Sequence, residues 1–451
     1  MKKFDVLVIG GGPGGITVTR NLGRRKDISV GVIRPEDHSM IYCAIPYAIE
    51  GLISIEKTFK SDGLVTDVGA ELIRDKAVKV DFDNKQVAVE KGGIYGYDKL
   101  VIATGSEPAF PSIPGISLNG IFAVKTENDL RRTIALKETG LKKAVVVGAG
   151  AIGVELAQAL KGVGISVDLI DIADQILGSI ADSDMTAEVQ GKIIDNGIRM
   201  FLNTQVTALK GDKTVREVVL SSGEAIKFAD KEGEPVHGAV FFAITMKPGI
   251  DIFKETALDI EKGGIVVNGR METNIPNVYA VGDCVQFVSG ITGAVISGKL
   301  ATNAVPMGKV AARNIMGIDS EYQGYFNGAA TKVYDLFIGG TGLTEKMALQ
   351  SGYDVVAGYG ATTTIFPILP GAKKVKVKLV ADRKTHRLLG GQILSEEPVG
   401  AKIDLLTFAL QKATLLEEVS MLSYSAQPYQ SFYPAQNAIV MAADEILAAL
   451  N

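Results

Sequence analysis

Two glycine-rich turns, each set between an apolar strand pattern and an apolar helical pattern, most constrain how this chain can fold. The first lies in FDVLVIGGGPGGITVTRNL and the second in KKAVVVGAGAIGVELAQAL. In such a turn the first glycine permits the bend, the second admits a pyrophosphate close to the backbone, and the third lets the helix pack on the strand. The sequence therefore predicts an α/β fold with two Rossmann-like dinucleotide-binding domains. The cofactor-binding residues assigned in the turns are Gly10, Gly12, Pro13, Gly15, Gly148, Gly150, Ile152 and Gly153.

The residue that ends the following strand differs between the two turns. After the second turn, the strand ISVDLID ends at Asp171, at the spacing expected for an acid that accepts hydrogen bonds from both ribose hydroxyls. Ile172 follows, so the arginine that would neutralise a 2′-phosphate is missing, which favours NADH over NADPH. After the first turn the strand ends at Arg34, and Glu36 comes two residues later. Either Glu36 reaches the adenosine ribose, or Arg34 lies along the adenine and another group holds the ribose.

The size and composition of the chain limit its class. Its 451 residues exceed what one hydrophobic core usually holds, which predicts about three domains. With 22% charged residues and a net charge of -4, the chain is typical of a globular enzyme and shows no sign of a nucleic-acid partner. Two distant cysteines and three scattered histidines argue against a disulfide framework and a metal centre. We expect a cytoplasmic protein with no secretion signal and no membrane span.

Further segments resemble the FAD- and NAD(P)H-dependent pyridine nucleotide-disulfide oxidoreductases. YDKLVIATGSEP is similar to the strand and ATG turn that return the chain to the flavin, with Thr104 and Gly105 at the turn. TNIPNVYAVGDC is similar to the second flavin fingerprint, in which Gly282 approaches the cofactor and Asp283 binds the ribityl chain. FFAITMKPGID resembles a second ATG turn, with Thr245 where the family usually has glycine. The resemblance implies that both FAD and a nicotinamide nucleotide are cofactors.

The resemblance covers nearly the whole chain and implies a nested domain order. Residues 1–112 and 241–320 would form the two parts of the FAD-binding domain, and residues 113–240 would form the inserted NAD(H)-binding domain. Residues 321–451 would form a C-terminal α+β dimerisation domain, because strand-like alternation and helical spacing recur there. In the family this domain packs across a two-fold axis, so we expect a homodimer in which each active site uses residues of both subunits.

The segment SMIYCAIPY contains Cys43, one of the two cysteines. It resembles the redox segment of the single-cysteine branch of the family, which comprises coenzyme A disulfide reductases, NADH peroxidases and NADH oxidases. In that branch the cysteine starts a helix beside the flavin, where the helix dipole and the flavin stabilise a thiolate. A thiolate can attack a disulfide or carry a sulfenic acid. The alternative is an inert buried cysteine, the role that we assign to Cys284.

The residues near Cys43 bear on the choice of acceptor. The peroxidases and water-forming oxidases have a histidine in the first glycine turn, where this chain has Pro13, whereas Ala44 resembles the coenzyme A disulfide reductases. By the same resemblance the substrate-binding residues would be Asn21, Arg24, Arg25 and Ser39. The two arginines could equally form a solvated helix end. The C-terminal tyrosines of the reductases have no counterpart in register, so the proton donor stays unassigned.

We therefore predict a flavoenzyme that passes electrons from NADH through FAD to Cys43 and on to a disulfide or polysulfide, such as coenzyme A disulfide. An NADH oxidase that reduces oxygen is the first alternative, since it needs only a reduced flavin open to oxygen. A FAD-loaded redox sensor or binding scaffold, whose partner reads the oxidation state of Cys43, is the second. The second dinucleotide turn argues against the scaffold, which has no need of NADH.

Overall fold

The computed structural model describes residues 1–230, 232–244, 246–296 and 301–450. Thr245, at which the sequence departs from the family pattern, lies outside the described residues. The chain up to the first domain boundary forms the elements β1 (Lys2–Ile9), α1 (Pro13–Leu22), β2 (Val30–Ile33), β3 (Ser39–Met40), α2 (Ile45–Glu50), β4 (Phe59–Lys60), α3 (Gly63–Thr66), β5 (Glu71–Ile73), β6 (Ala77–Asp81), β7 (Gln86–Val89), β8 (Ile94–Ile102) and β9 (Ser106–Pro108).

The second stretch forms β10 (Ile121–Ala123), α4 (Glu127–Glu138), β11 (Lys143–Val147), α5 (Ala151–Gly162), β12 (Ser166–Ile170), α6 (Ser183–Asp195), β13 (Arg199–Phe201), β14 (Val206–Lys210), β15 (Glu217–Leu220), β16 (Ala225–Lys227) and β17 (Gly238–Phe242). The third forms β18 (Met246–Pro248), β19 (Ile260–Glu261), β20 (Gly264–Ile265), β21 (Val278–Ala280), β22 (Phe287–Val288), β23 (Val295–Ile296) and α7 (Ala301–Ile315). The last forms β24 (Ala329–Val333), β25 (Leu336–Gly342), α8 (Glu345–Gln350), β26 (Val355–Thr363), β27 (Lys374–Asp382), β28 (Leu388–Ser395), α9 (Gly400–Gln411), α10 (Leu416–Ser420) and α11 (Ala438–Leu450).

The first sheet has the strand order β5-β2-β1-β8-β7-β6, and β21 also pairs with β8. Strands β1, β2, β5, β8 and β21 run parallel, so their carboxyl ends meet at one edge. Because β21 lies far along the chain from β8, the sheet joins the first and third stretches into one unit. Its central strands are almost wholly buried, as expected for a parallel sheet covered on both faces.

The second sheet is parallel throughout, with the order β10-β17-β11-β12-β13. A small antiparallel sheet, β14-β15-β16, packs beside it. The predicted domain boundary at residue 240 falls inside β17, which pairs with β11 from Gly238 to Phe242. We retain the four-part division of the chain as a proposal and move that boundary to the carboxyl end of β17.

The C-terminal sheet is antiparallel, with the order β24-β25-β28-β27-β26, and helices α9 and α11 pack on it. The buried Lys378 of β27 joins this sheet to the N-terminal end of α6. Its Nζ lies 3.3 Å from Asp182, 3.0 Å from Asp184 and 2.8 Å from Glu345. Burial alone would lower the pKa of Lys378, but these carboxylates raise it above its ordinary value. The ion cluster therefore fixes the C-terminal sheet against the second sheet.

Two features of the described part of the chain bear on its class. None of its helices is both long and apolar enough to cross a bilayer. Within the same ranges, no set of three or more His, Cys, Asp or Glu side chains is grouped as metal ligands would be. The two parallel α/β units and the separate antiparallel C-terminal sheet agree with the predicted fold class.

Candidate active site

The first glycine turn forms a cradle above the N-terminal end of α1. Gly10 has a φ of +114°, and a Cβ there would lie 2.0 Å from the carbonyl oxygen of Ala103 at the end of β8. A Cβ at Gly15 would lie 2.0 Å from the carbonyl oxygen of Gly10. At Gly12, by contrast, a Cβ would meet nothing within 4 Å. The turn is therefore closed against its neighbours at two glycines and open at the middle one, where a pyrophosphate would approach.

Arg34, the residue after β2, is 2% exposed. Its guanidinium donates to the carbonyl oxygens of Glu36 at 3.0 Å and Asp37 at 3.1 Å, and to Asp62 at 2.7 Å. Its aliphatic part covers Gly11, where a Cβ would lie 2.5 Å from the Arg34 Cδ. The side chain of Glu36 is exposed. The guanidinium thus organises the loop after β2, and the choice between Glu36 and Arg34 for the adenosine side stays a prediction.

The ATG turn and the second fingerprint meet beside the cradle. Gly105 and Gly282 have φ values of +69° and +80°. The buried hydroxyl of Ser106 donates to the Asp283 carboxylate at 2.9 Å. Lys125 in turn donates to the Ser106 hydroxyl at 2.7 Å. Half-buried Thr104 lies beside Gly10 and directly before Gly105. The four predicted cofactor-binding residues of these segments therefore border the first glycine turn; they are Thr104, Gly105, Gly282 and Asp283.

These residues fit a bound FAD. The open position at Gly12 provides space for a pyrophosphate, and the first turn of α7 packs against Gly14 and Gly282 through Ala304. In the described part of the chain, the Nδ2 atom of Asn303 is buried and has no hydrogen-bond partner. An unmatched buried donor costs free energy unless a ligand or water accepts from it. The cradle, the Asp283 carboxylate and the Asn303 amide are therefore suited to hold a dinucleotide with a polar ring system.

The second glycine turn repeats the first. Gly148 has a φ of +109°, a Cβ at Gly153 would lie 1.7 Å from the Gly148 carbonyl oxygen, and a Cβ at Gly150 would meet nothing within 4 Å. The carboxylate of Asp171 accepts from the backbone N–H of Ala149 at 2.5 Å and from that of Ala173 at 2.8 Å. Each carboxylate oxygen keeps a further lone pair for a ligand hydroxyl. The side chains of Ile152 and Ile172, 49% and 74% exposed, flank this site.

Cys43 lies on an exposed 3-10 turn, Tyr42–Ala44, immediately before α2. The expectation that it starts a helix holds for this 3-10 turn, and the regular α-helix α2 begins two residues after the cysteine, at Ile45, and has six residues. Pro46 has no N–H and is tolerated only in the first turn, so the regular helix follows the cysteine rather than including it. Cys284 has the opposite environment: it is fully buried, and burial raises the pKa of its thiol. The exposed thiol is the one that can react.

The predicted substrate residues have protein contacts of their own or lie exposed. Ser39 is buried and donates to the carbonyl oxygen of Gly11 at 2.9 Å, which ties the redox segment to the first turn. Asn21 donates to the carbonyl oxygen of Thr17 within α1, and Arg25 forms two hydrogen bonds with Asp27. Arg24 is exposed at the same helix end. A ten-residue helix spans about 15 Å, so these three residues lie well away from the glycine turn, and their substrate role stays a prediction.

Two further residues at this site were missed by sequence reasoning. Glu155 on α5 is half-buried and accepts from the Thr331 hydroxyl of β24 at 2.6 Å. Burial raises the pKa of Glu155, and the hydrogen bond opposes that rise. The two residues are 176 positions apart, so no local pattern could have paired them. The contact brings the C-terminal sheet to the helix that follows the second glycine turn.

Known proteins resemble this chain over its whole length. The model of the pyridine nucleotide-disulphide oxidoreductases matches residues 4–308, and that of their dimerisation domain matches residues 329–432. A protein of Methanocaldococcus jannaschii named NADH oxidase is 34% identical, with 99% of each chain covered. An NAD(P)H coenzyme A polysulfide/persulfide reductase of Pyrococcus horikoshii is 32% identical, with 88% of each chain covered. The structure of the water-forming NADH oxidase of Lactobacillus brevis bound to NADH has a TM-score of 0.90 at 26% identity, covering 100% of this chain and 99% of that one.

These similarities confirm the predicted family, the predicted fold class and the prediction of a FAD-dependent enzyme driven by NAD(P)H. The relatives include proteins named for oxygen reduction and for sulfur reduction, so they do not choose between the two acceptors. Two dinucleotide cradles, one exposed cysteine and a matched dimerisation domain together identify the chain: it belongs to the pyridine nucleotide-disulphide oxidoreductases, in the branch with a single redox cysteine.

Proposed function

We propose that this enzyme oxidises NADH, passes the electrons through FAD to Cys43, and reduces the sulfur–sulfur bond of a disulfide or polysulfide such as coenzyme A disulfide. The position of Cys43 supports this most. The thiol is exposed, yet its segment is tied to the first glycine turn by the hydrogen bond from Ser39 to Gly11. A thiol that is held beside the cofactor cradle and open to solvent suits an electron relay to an external acceptor.

The chemistry of the proposed reaction balances with one NADH. FAD, when bound, supplies the hydride acceptor and the two-electron donor. The Cys43 thiolate attacks one sulfur of the acceptor; a new sulfur–sulfur bond forms, the old one breaks, and the second sulfur leaves as a thiolate that takes up a proton. The two electrons from NADH then cleave the mixed disulfide and restore the Cys43 thiolate. The sum is one NADH and one proton for each disulfide converted to two thiols.

We propose NADH rather than NADPH as the preferred donor. The Asp171 carboxylate at the second turn suits two ribose hydroxyls and would repel a 2′-phosphate. The exposed Ile172 beside it offers that phosphate no cationic partner. The test is kcat/KM for each nucleotide measured with the same acceptor, and an equal or higher value for NADPH would contradict the proposal.

Oxygen is the second candidate acceptor. The M. jannaschii and L. brevis proteins, both named as oxidases, favour it. Pro13 argues against it, because the family's peroxidases and water-forming oxidases have a histidine in this turn. The FAD-loaded sensor is a weaker alternative, since the second cradle is as complete as the first. NADH consumption separates the three. Consumption under nitrogen only after a disulfide is added supports the reductase, and consumption that needs air supports the oxidase. An enzyme that consumes NADH under neither condition supports the sensor.

We further propose that the enzyme is a homodimer that works in the reducing cytoplasm. The family's dimerisation domain is matched at residues 329–432. Large apolar side chains of the C-terminal region are exposed in the single chain, among them Phe408 at 58%, Tyr429 at 63% and Met421 at 83%. A partner subunit would cover such a surface. Light scattering of the FAD-loaded protein tests this, and a monomer at micromolar concentration would contradict it.

A further inference from the structure

Lys125 crosses from the second sheet to the cofactor edge of the first. It lies between β10 and α4, directly before Thr126, the N-cap of α4. Its backbone N–H donates at 3.3 Å to Asp129, the third residue of that helix. Its side chain is 18% exposed. The ammonium donates to the Ser106 hydroxyl at 2.7 Å and lies 4.0 Å from the Asp283 carboxylate that accepts from the same hydroxyl. Lys125 thus binds the two segments that line the flavin cradle.

The same ammonium also contacts the redox segment. Its Nζ lies 5.4 Å from the ring centroid of Tyr42, within the range of a cation–π interaction. Tyr42 is the residue directly before Cys43. Burial of the hydroxyl end of Tyr42, followed by the charges of Glu36 and Asp283, raises its pKa, so the ring stays neutral at the face of Lys125. One side chain therefore touches both the cradle and the neighbour of the reacting thiol.

The start of α4 holds the redox segment at a second point. His38 at the other end of the segment lies 3.2 Å from Glu127 and stacks on Phe59 with ring centroids 4.1 Å apart. Arg131 pairs with Glu127 at 2.7 Å, and its Cζ lies 5.8 Å from the centroid of the Phe59 ring. The Glu127 contact holds His38, directly before the redox segment of residues 39–47. The Lys125 contact holds Tyr42, the residue directly before Cys43. Of the two, only Lys125 reaches the cradle as well.

We infer that Lys125 is a positioning residue for Cys43: its ammonium binds the Tyr42 ring and the Ser106–Asp283 pair at once, and so sets the distance between the thiol and the flavin cradle. This rests on the proposed function, in which Cys43 exchanges electrons with the flavin. Hydride transfer from NADH to FAD involves no thiol and does not need this distance. Lys125 therefore serves the sulfur half of the reaction.

The test uses the FAD-loaded full chain with Lys125→Met, which keeps the length and apolar part of the side chain, and with Lys125→Arg, which keeps the charge. Three quantities are measured under nitrogen: the rate of flavin reduction by NADH, the thiolate-to-flavin charge-transfer absorbance after two-electron reduction, and the rate of reoxidation by a disulfide. Lys210→Met is the matched control, because Lys210 is 64% exposed and pairs with Glu217 on the small sheet β14-β15-β16.

We expect Lys125→Met to weaken the charge-transfer absorbance and slow reoxidation by a disulfide about 10- to 100-fold, the scale of a misplaced reacting group. Flavin reduction by NADH should change less than about threefold, and Lys125→Arg should recover most of the loss, since guanidinium also binds aromatic faces. Lys210→Met should match the parent. An unchanged Lys125→Met would overturn the inference while leaving the proposed function intact, whereas a parent enzyme without disulfide reoxidation would overturn both.

A second pair of variants applies if Lys125→Met fails to hold FAD. Tyr42→Phe keeps the ring that Lys125 contacts, and Tyr42→Leu removes it. The inference expects Tyr42→Leu to weaken the charge-transfer absorbance and Tyr42→Phe to keep it. Equal behaviour of these two variants would overturn the link from Lys125 through Tyr42 to Cys43, as would a Lys125→Met variant that slows NADH reduction and disulfide reoxidation by the same factor.

Discussion

The two glycine turns of this enzyme share one backbone design. In each turn, the N–H of the first glycine donates to the last residue of the second strand, and the residue after that strand donates to a third strand. The alanine that follows the returning strand donates to the last residue of the first strand. The distances agree within 0.1 Å: they are 2.9 and 2.8 Å for Gly10–Ile33 and Gly148–Ile170, 3.0 and 3.0 Å for Arg34–Ile73 and Asp171–Phe201, and 2.8 and 2.8 Å for Ala103–Ile9 and Ala243–Val147. The same backbone hydrogen bonds thus hold both glycine turns, each of which suits a pyrophosphate.

The turns differ at the single residue that follows the second strand. Asp171 accepts from the backbone N–H of Ala149 in its turn, whereas the Arg34 guanidinium donates to the loop carbonyls and to Asp62. The first turn also holds the redox segment, because the Ser39 hydroxyl donates to the carbonyl oxygen of Gly11. One scaffold can therefore serve a mobile nucleotide and a resident cofactor, with the difference made by side chains and by what the neighbouring loop carries.

The largest expected effect separates the chemistry served by the two turns. Cys43→Ser should slow disulfide reduction by at least about 10³-fold, because a serine hydroxyl does not supply the thiolate nucleophile near neutral pH. Flavin reduction by NADH, which depends on the second turn, should be spared, as should most direct transfer to oxygen. Stopped-flow measurement of both half-reactions tests this. A serine variant that reduces disulfides like the parent would make Cys43 structural and bring the oxidase function forward.

Glycine substitutions test whether each turn serves its own cofactor. Gly10→Ala should yield protein that lacks FAD and melts at lower temperature, because it places a Cβ 2.0 Å from the Ala103 carbonyl oxygen at a φ of +114°; such strain costs about 1–3 kcal/mol before the clash is counted. Gly148→Ala should keep FAD and lose NADH binding. FAD content and the KM for NADH are the measurements.

The matched control for this pair is Gly12→Ala, whose Cβ meets no protein atom within 4 Å. It should fold with normal stability and bind FAD more weakly, since its methyl group would occupy the pyrophosphate approach. If Gly148→Ala lost FAD to the same extent as Gly10→Ala, the assignment of one cofactor to each turn would be wrong.

Asp171→Ala should raise the KM for NADH and leave FAD content unchanged. The lost hydrogen bonds to a charged acceptor are worth about 1.5–3 kcal/mol, or roughly 10- to 150-fold. Adding Ile172→Arg to that variant should move preference toward NADPH, because it supplies the cation that a 2′-phosphate needs. Steady-state kinetics with both nucleotides measure this. An unchanged KM for NADH in the single variant would mean that the ribose is held elsewhere.

The parts of this molecule that sequence predicted are those set by local pattern. The glycine turns and Asp171 follow from steric needs within a strand-turn-helix unit, and these needs are visible in about 30 residues. The Lys125 and Glu155 contacts were missed because their partners lie in other domains and are brought close only by packing. The role of Arg34 was left open for a related reason: an arginine after a strand fits either a ligand or a loop, and its contact with Asp62, 28 residues further along the chain, comes from tertiary structure.

Arg34 therefore offers the finest test of the difference between the turns. Arg34→Met should lower the free energy of unfolding by about 1–3 kcal/mol, since it removes a buried charge and its hydrogen bonds while leaving Asp62 paired with Arg74. Arg74→Met is the control: Arg74 binds the same carbonyls of Glu36 and Asp37 and the same Asp62, but it is 41% exposed, and an exposed pair contributes less than about 1 kcal/mol. Urea unfolding of both variants gives the comparison, and equal losses would remove the special role of the buried arginine.

FAD affinity in the same variants decides which residue meets the adenosine ribose. If the Arg34 guanidinium only organises the loop, Arg34→Met should change the FAD dissociation constant much less than it changes stability. Glu36→Gln should then do the reverse, because Glu36 is exposed and its carboxylate contributes nothing to the loop contacts, which use its backbone carbonyl. A loss of hydrogen bonds from ribose to a charged acceptor would weaken FAD binding by about tenfold or more. An unaffected Glu36→Gln together with a weakened Arg34→Met would instead assign the adenosine side of the first turn to the arginine, and the two turns would then differ in the charge that meets the nucleotide as well as in the loop that follows.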